Sequence, residues 1–181
     1  MTKLPLIVTV QGHINECTTT LSNELYCKYI FSYGKDWSIG QGSIEGVTQV
    51  VKRGSDNSCV FNFPISVSFQ SSQPFGWPQI LIAIYGHNLF GNEMVVGYGA
   101  SHIPLQPGHH EINIPLFVPA SASMMQTIIG FFTGVSPEYV DLKFIANGAN
   151  REVTKTKSQG QISVTFNVLM HGLQALELSV T

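Results

Sequence analysis

Charge is the first thing this sequence lacks. Asp, Glu, Lys and Arg make up 11% of 181 residues, where an ordinary soluble domain carries about 25%. The formal net charge is −2, with no basic tail or stripe, which excludes a protein held to nucleic acid by phosphate contacts. Cysteine is sparse too: Cys17, Cys27 and Cys59 show no paired spacing and leave an odd thiol. No Asn-x-Ser/Thr sequon occurs. The apolar stretch Leu4–Val10 is broken by Pro5 and Thr9, too short for a secretory core, and no run approaches the roughly 20 apolar residues of a membrane span. These features together point to a reducing, cytosolic compartment.

Catalytic and metal-binding patterns are also missing. There is no Gly-x-Ser-x-Gly elbow, no Walker loop and no His-Glu-x-x-His. Gly97-Tyr-Gly99 lacks the third glycine and the helix of a dinucleotide loop, and reads as strand packing. His109-His110-Glu111 resembles a ligand cluster, but neighbours on a strand point to opposite faces and cannot share one ion without a bulge. Asp36, Asp56 and Asp141 are the only aspartates. They are far apart, Glu45, Glu93 and Glu111 could contribute only singly, and no loop holds two acidic residues. Calcium needs six to eight converging oxygens, so a calcium switch is not expected.

What the chain has is alternation. Phe61, Phe63, Ile65, Val67 and Phe69 alternate with polar residues at period two, which predicts a half-buried strand. Trp77 to Tyr85 is apolar on nearly every residue, as in a central strand covered on both faces. Between the two, Pro74, Gly76 and Pro78 restrict the backbone into a sharp turn that carries Phe75 and Trp77. Further strands are predicted over 4–14, 25–33, 47–52, 94–100 and 110–118. Asn15 to Asn23 reads as polar turn, and Phe90-Gly-Asn92 as a tight hairpin. Arg151–Lys157 and Gln161–Leu169 read as a closing hairpin around Ser158-Gln-Gly160.

One helix is predicted, over 121–133, with Ser121 as N-cap, Met124, Met125, Ile128, Ile129 and Phe132 on one face, and Gly134 as the stop. About eight strands and this short helix in one domain, with no repeats and no linker, predict an all-β antiparallel sandwich.

Fifty Ser, Thr, Asn and Gln residues supply the polar surface that charges usually provide. Either they alone explain the low charge, or partners cover much of the surface, since interface cores are depleted of charge. Candidate contact residues are therefore the aromatics at turns, Trp37, Phe75 and Trp77, and the helix face with Met124, Met125, Ile128, Phe131 and Phe132. Arg151, Lys155 and Lys157 fall on one strand face. At about 1 kcal/mol each near an anionic bilayer they cannot hold a protein there alone. They read as a solvated edge strand, or as an accessory contact to lipid or an acidic partner.

Several uncommon strings then fall into place. Leu25-Tyr-Cys-Lys-Tyr-Ile-Phe-Ser-Tyr-Gly-Lys-Asp-Trp37, Gly76-Trp-Pro-Gln-Ile80, Gly97-Tyr-Gly-Ala100, Ile114-Pro-Leu-Phe-Val-Pro119 and Ser158-Gln-Gly160 resemble, in order, the B9-domain family of ciliary proteins. The resemblance runs from about Leu4 to Leu169. It implies a single C2-like domain over 1–181 with residues 170–181 as a variable tail, no enzymatic activity, no cofactor and no calcium site. It further implies a place at the cilium base, in the Meckel-syndrome complex of the transition zone and basal body, as a cytoplasmic, cytoskeleton-associated scaffold needed for ciliogenesis and the membrane diffusion barrier. The implied partners are sister B9-domain proteins together with tectonic and transmembrane transition-zone proteins. The alternative reading is a calcium-independent peripheral phospholipid-binding domain that works through Arg151, Lys155 and Lys157.

Overall fold

A computed structural model describes residues 5–87, 92–118 and 158–172. Among them there is no helix, and ten strands alternate with turns. In chain order these are β1 (Leu6–Thr18), β2 (Glu24–Ser32), β3 (Trp37–Gly42), β4 (Glu45–Val47), β5 (Val51–Lys52), β6 (Ser58–Ser71), β7 (Gln79–His87), β8 (Glu93–His102), β9 (Gly108–Phe117) and β10 (Ser158–His171). All pair antiparallel, in the order β3-β6-β1-β10-β9-β8-β7-β2-β4, with β5 also on β2. β8 meets β9 through one register pair, Tyr98 with Phe117. The sheet therefore folds there into two leaves, β3-β6-β1-β10-β9 and β8-β7-β2-β4, that face one another as a sandwich.

The period-two pattern fills the space between the leaves. Phe61, Ile65, Val67 and Phe69 of β6 are buried, and Asn62, Pro64, Ser66 and Gln70 are exposed. Val8, Val10 and Ile14 of β1 join them, as do Leu25, Cys27, Tyr29 and Phe31 of β2 from the other leaf. Phe31 and Phe69 meet edge to face across the gap, ring centroids 5.7 Å apart. On β7 the expectation of two covered faces holds. Ile80, Ile82 and Ile84 enter the main core, while Leu81 and Ala83 are buried in a second cluster with Tyr98. Gly97 and Gly99 let β8 close on β9: a Cβ at Gly99 would stand 2.8 Å from Ile114 Cγ2. That glycine pair is strand packing, as its spacing suggests.

Several expectations need correction. The stretch from Asn15 is not turn until Thr19: a bulge between Ile14 and Glu16 shifts the alternation by one residue, so β1 continues to Thr18 with Cys17 buried. The strand expected over 47–52 is two short ones, β4 and β5, both on β2. Trp37–Gly42 is a strand that the pattern does not predict, because its apolar residues are too few to show a period. Ser158–Gly160, read as a turn, belongs to β10, which pairs β1 at Gln161–His171 and β9 at Ser158–Val168; Arg151–Lys157, read as the other arm of the closing hairpin, lies outside the described residues. Met170 and His171, expected in the tail, pair with Val8 and Ile7. The 121–133 helix and the Phe90-Gly91 hairpin tip lie outside the described residues.

Candidate partner-binding site

Two loops at one end of the sandwich build the best-defined surface feature. β2 ends at Ser32, and the chain turns through Gly34-Lys-Asp into β3. β6 ends at Ser71, and Ser-Gln-Pro-Phe-Gly-Trp-Pro leads to β7. The loops touch glycine to glycine. Gly34 N–H donates to Gly76 O at 2.8 Å, and Gly76 holds φ at +72°. A Cβ on Gly76 would stand 2.5 Å from Gly34 Cα, so this crossing accepts no side chain.

Both tryptophans brace the loop. Trp37 Nε1 donates to Phe75 O at 2.8 Å, and Trp77 Nε1 donates to Ile103 O at 2.8 Å. Their rings meet edge to face with centroids 5.3 Å apart. The Ser71 hydroxyl lies 2.8 Å from Asp36 O and 2.7 Å from Gln73 O, and Ile103 N–H donates to Pro78 O at 3.0 Å. Every turn of the loop is thus tied to a neighbour. Above this frame Phe75 is 74% exposed, and Leu105, in the loop that Trp77 grips through Ile103, is 64% exposed.

The structure separates the three aromatics that sequence reasoning groups together. Phe75 offers its ring to solvent. Trp37 is 4% exposed, and Trp77 is half-buried against the main core. The two tryptophans are frame members, each with its indole N–H committed to a backbone carbonyl of the loops. Leu105 escapes sequence reasoning, since a single Leu between Pro104 and Gln106 carries no periodic signal. Met124, Met125, Ile128, Phe131 and Phe132 lie outside the described residues. So do Arg151, Lys155 and Lys157, and the phospholipid reading keeps only its sequence basis.

Among the described residues no group of three His, Cys, Asp or Glu is placed to hold a metal ion. His109 Nδ1 pairs with Asn167 Oδ1 at 2.8 Å, and His110 Nε2 pairs with Gln106 O at 2.8 Å, so the two rings go separate ways. Ser163 Oγ donates to Glu111 Oε1 at 3.2 Å. On the outer face of β2 and β7, Tyr26 and Tyr85 stack at 5.0 Å, with the Tyr26 hydroxyl donating to Glu93. Burial first, and then the Glu93 carboxylate, raise the Tyr26 phenol above its ordinary range. Burial likewise pushes Tyr98 up to about 12. A phenol held protonated in this way serves as a hydrogen-bond donor and not as a base.

All three cysteines are buried and free. Cys17 and Cys59 are register partners on β1 and β6. Burial, reinforced by Cys59, pushes the Cys17 thiol up to about 12, and burial raises Cys27 well above 9.0. Such thiols are inert as nucleophiles.

Comparison with known proteins agrees with the sequence resemblance. A family model described as "B9-C2: Ciliary basal body-associated, B9 protein" matches residues 8–169. B9 domain-containing protein 1 of Mus musculus is 43% identical over 172 residues, covering 94% of this chain and 84% of that protein. Its Xenopus laevis counterpart is 44% identical, covering 94% and 87%. B9 domain-containing protein 2 of Xenopus laevis is 26% identical, covering 92% and 94%. Among solved structures, a C2 domain of plant Extended Synaptotagmin 1 aligns with a TM-score of 0.45 at 13% identity, over 91% of this chain and 92% of that one.

Proposed function

The chain belongs to the B9-C2 family of ciliary basal body-associated proteins, and on that premise we propose that it is a non-catalytic scaffold subunit at the cilium base. Its output is contact. It joins sister B9-domain proteins in a transition-zone assembly, and through them the tectonic and transmembrane members, and so supports ciliogenesis and the membrane barrier.

The observation that carries this reading is Phe75, an apolar ring 74% exposed on a loop whose backbone is fixed by two indoles and a glycine crossing. A large aromatic held rigid in water gains little for the isolated chain. It is pre-organised for a partner's pocket, because its loop need not be ordered on binding. Trp, Tyr and Phe are enriched in interface cores. Lys35 and Asp36 beside it cancel in charge, so the contact depends on shape and apolar fit.

The test is reconstitution. The chain is mixed with the B9 domain-containing protein 2 of its own organism at micromolar concentration and run on size exclusion. A stable complex that weakens with Phe75→Ala is the expected outcome. A chain that stays monomeric with its sister present would count decisively against the scaffold reading.

A further inference from the structure

The two leaves end in edges of opposite character. The β2 side of the sandwich ends in β4 and β5, only three and two residues long. Charges guard it: Glu45 lies on β4, and Lys52 of β5 pairs with Glu24 at 3.3 Å. Short, charged edges resist addition of another strand. The other leaf ends in β3, Trp37-Ser-Ile-Gly-Gln-Gly42, six residues long with neither charge nor proline. Every residue of β3 after Trp37 is exposed. Among the described residues β3 has a ladder neighbour only on its β6 side, so, the Trp37 N–H apart, which donates to Gly34 O at 3.0 Å, the backbone groups directed away from β6 form an open row.

We propose that β3 accepts an extended strand of a partner protein as an additional strand of its leaf. This rests on the scaffold reading above and names where that scaffold is gripped. Ile39 supplies the apolar recognition. Its register partner is Phe69, which is fully buried, so Ile39 faces the sandwich interior at its open lip, yet it is 39% exposed. A strand laid beside β3 would cover it. The guest therefore needs apolar side chains on alternate positions facing inward and uncharged polar ones facing out. Trp37, at the start of β3, bonds the Phe75 carbonyl, so a guest strand running along Trp37–Ile39 continues into the Phe75 apex.

The occupant is a different chain and not a second copy. Gly40 is bulged out of register between Ile39 and Gln41. Any two-fold pairing of β3 with itself over more than three residues has to cross that bulge on both chains at once, which breaks the ladder at its centre. A heterologous strand pairs with the regular Trp37–Ile39 half alone. Three or so residue pairs hold little by themselves, so the strand and the Phe75 anchor act together.

Hydrogen exchange of the full chain, free and in complex with B9 domain-containing protein 2, decides the matter. The β3 amides directed away from β6 should exchange fast in the free chain at every concentration and become protected in the complex. Ile39→Lys, an inward charge on the edge, should weaken the complex by about tenfold or more while leaving the thermal transition cooperative. A complex in which those outward amides stay unprotected overturns the strand proposal and leaves the scaffold reading intact. Protection that rises with concentration of this chain alone overturns the choice of occupant in favour of a second copy. Failure to form any complex overturns both. If Ile39→Lys does not fold, the exchange data on the unsubstituted complex still decide.

Discussion

Trp37 Nε1 donates a hydrogen bond of 2.8 Å to the carbonyl of Phe75, so a tryptophan that is 4% exposed fixes the backbone beneath a phenylalanine that is 74% exposed. Core and surface are thereby linked in one bond. The rigidity of the apex comes from the interior of the sandwich, and substitutions at the two ends of this bond should separate stability from binding.

Phe75→Ala removes a ring that the folded chain does not bury, so the urea midpoint should move by less than about 0.5 kcal/mol in equivalent stability. Binding to the sister protein should drop by about tenfold or more, as for a central aromatic anchor. Trp37→Phe keeps much of the packing and deletes the donor. It should cost about 1–2 kcal/mol of stability and also weaken binding, since the apex loses its tether. Equilibrium denaturation and titration calorimetry on both variants test this. Equal stability losses would refute the division of labour.

Gly76→Ala tests the loop crossing itself. The residue holds φ at +72°, and its new methyl would stand 2.5 Å from Gly34 Cα. Backbone strain of about 1–3 kcal/mol is expected, along with displacement of Phe75. Gly108→Ala is the control: its φ is +129° but nothing lies within 4 Å of an added Cβ, so conformational strain acts there without the clash. Chemical denaturation of the two should place Gly76→Ala as the more destabilised.

The sandwich was legible wherever burial is periodic. β6 alternates cleanly, and the all-apolar run before Tyr85 marks a strand covered on both faces; both appear as read. β3 was not legible, because an edge strand needs no apolar period: its partner β6 supplies the ladder, and only Trp37 is buried. The bulge at Asn15 was invisible for a related reason. Its side chain leaves the alternation to bond across the sheet, Nδ2 donating to Thr165 Oγ1 at 2.8 Å, and no local residue preference announces that. At the candidate site, the turn chemistry of Pro74, Gly76 and Pro78 located the loop correctly. Which of Trp37, Phe75 and Trp77 would face water depended on the carbonyls of Phe75 and Ile103, two long-range acceptors that no short window contains.

The two faces of β7 offer a direct check on the architecture. Ile82→Ala empties the main core and should cost about 2–5 kcal/mol. In a one-sided strand the neighbouring Leu81→Ala would be nearly silent. Here Leu81 is 1% exposed, in the second cluster with Tyr98, so its truncation should also cost about 2–5 kcal/mol. Denaturant unfolding of the pair measures this, and a Leu81→Ala loss below about 1 kcal/mol would contradict two-sided burial.

Alkaline pH should probe the thiol layer between β1, β2 and β6. Burial, the largest cause, pushes Cys17 from 9.0 up to about 12, and Cys27 rises well above 9.0 for the same reason. The folded chain therefore keeps protons that the unfolded chain releases near pH 9. Stability from these groups is fully present below pH 9 and declines as pH climbs toward 12. Each such group lowers it by about 1.4 kcal/mol per pH unit within that window. Cys17→Ala should flatten the slope by about one such increment, measured by urea titrations between pH 8 and about 10.5, while Tyr98→Phe flattens it separately, since that phenol is raised from 10.0 to about 12. In the folded chain at neutral pH a disulfide-exchange reagent should leave all three cysteines unmodified, and in denaturant it should titrate all three. A thiol that reacts rapidly in the native state would mean that the layer opens, and the pH slope would then be correspondingly shallow.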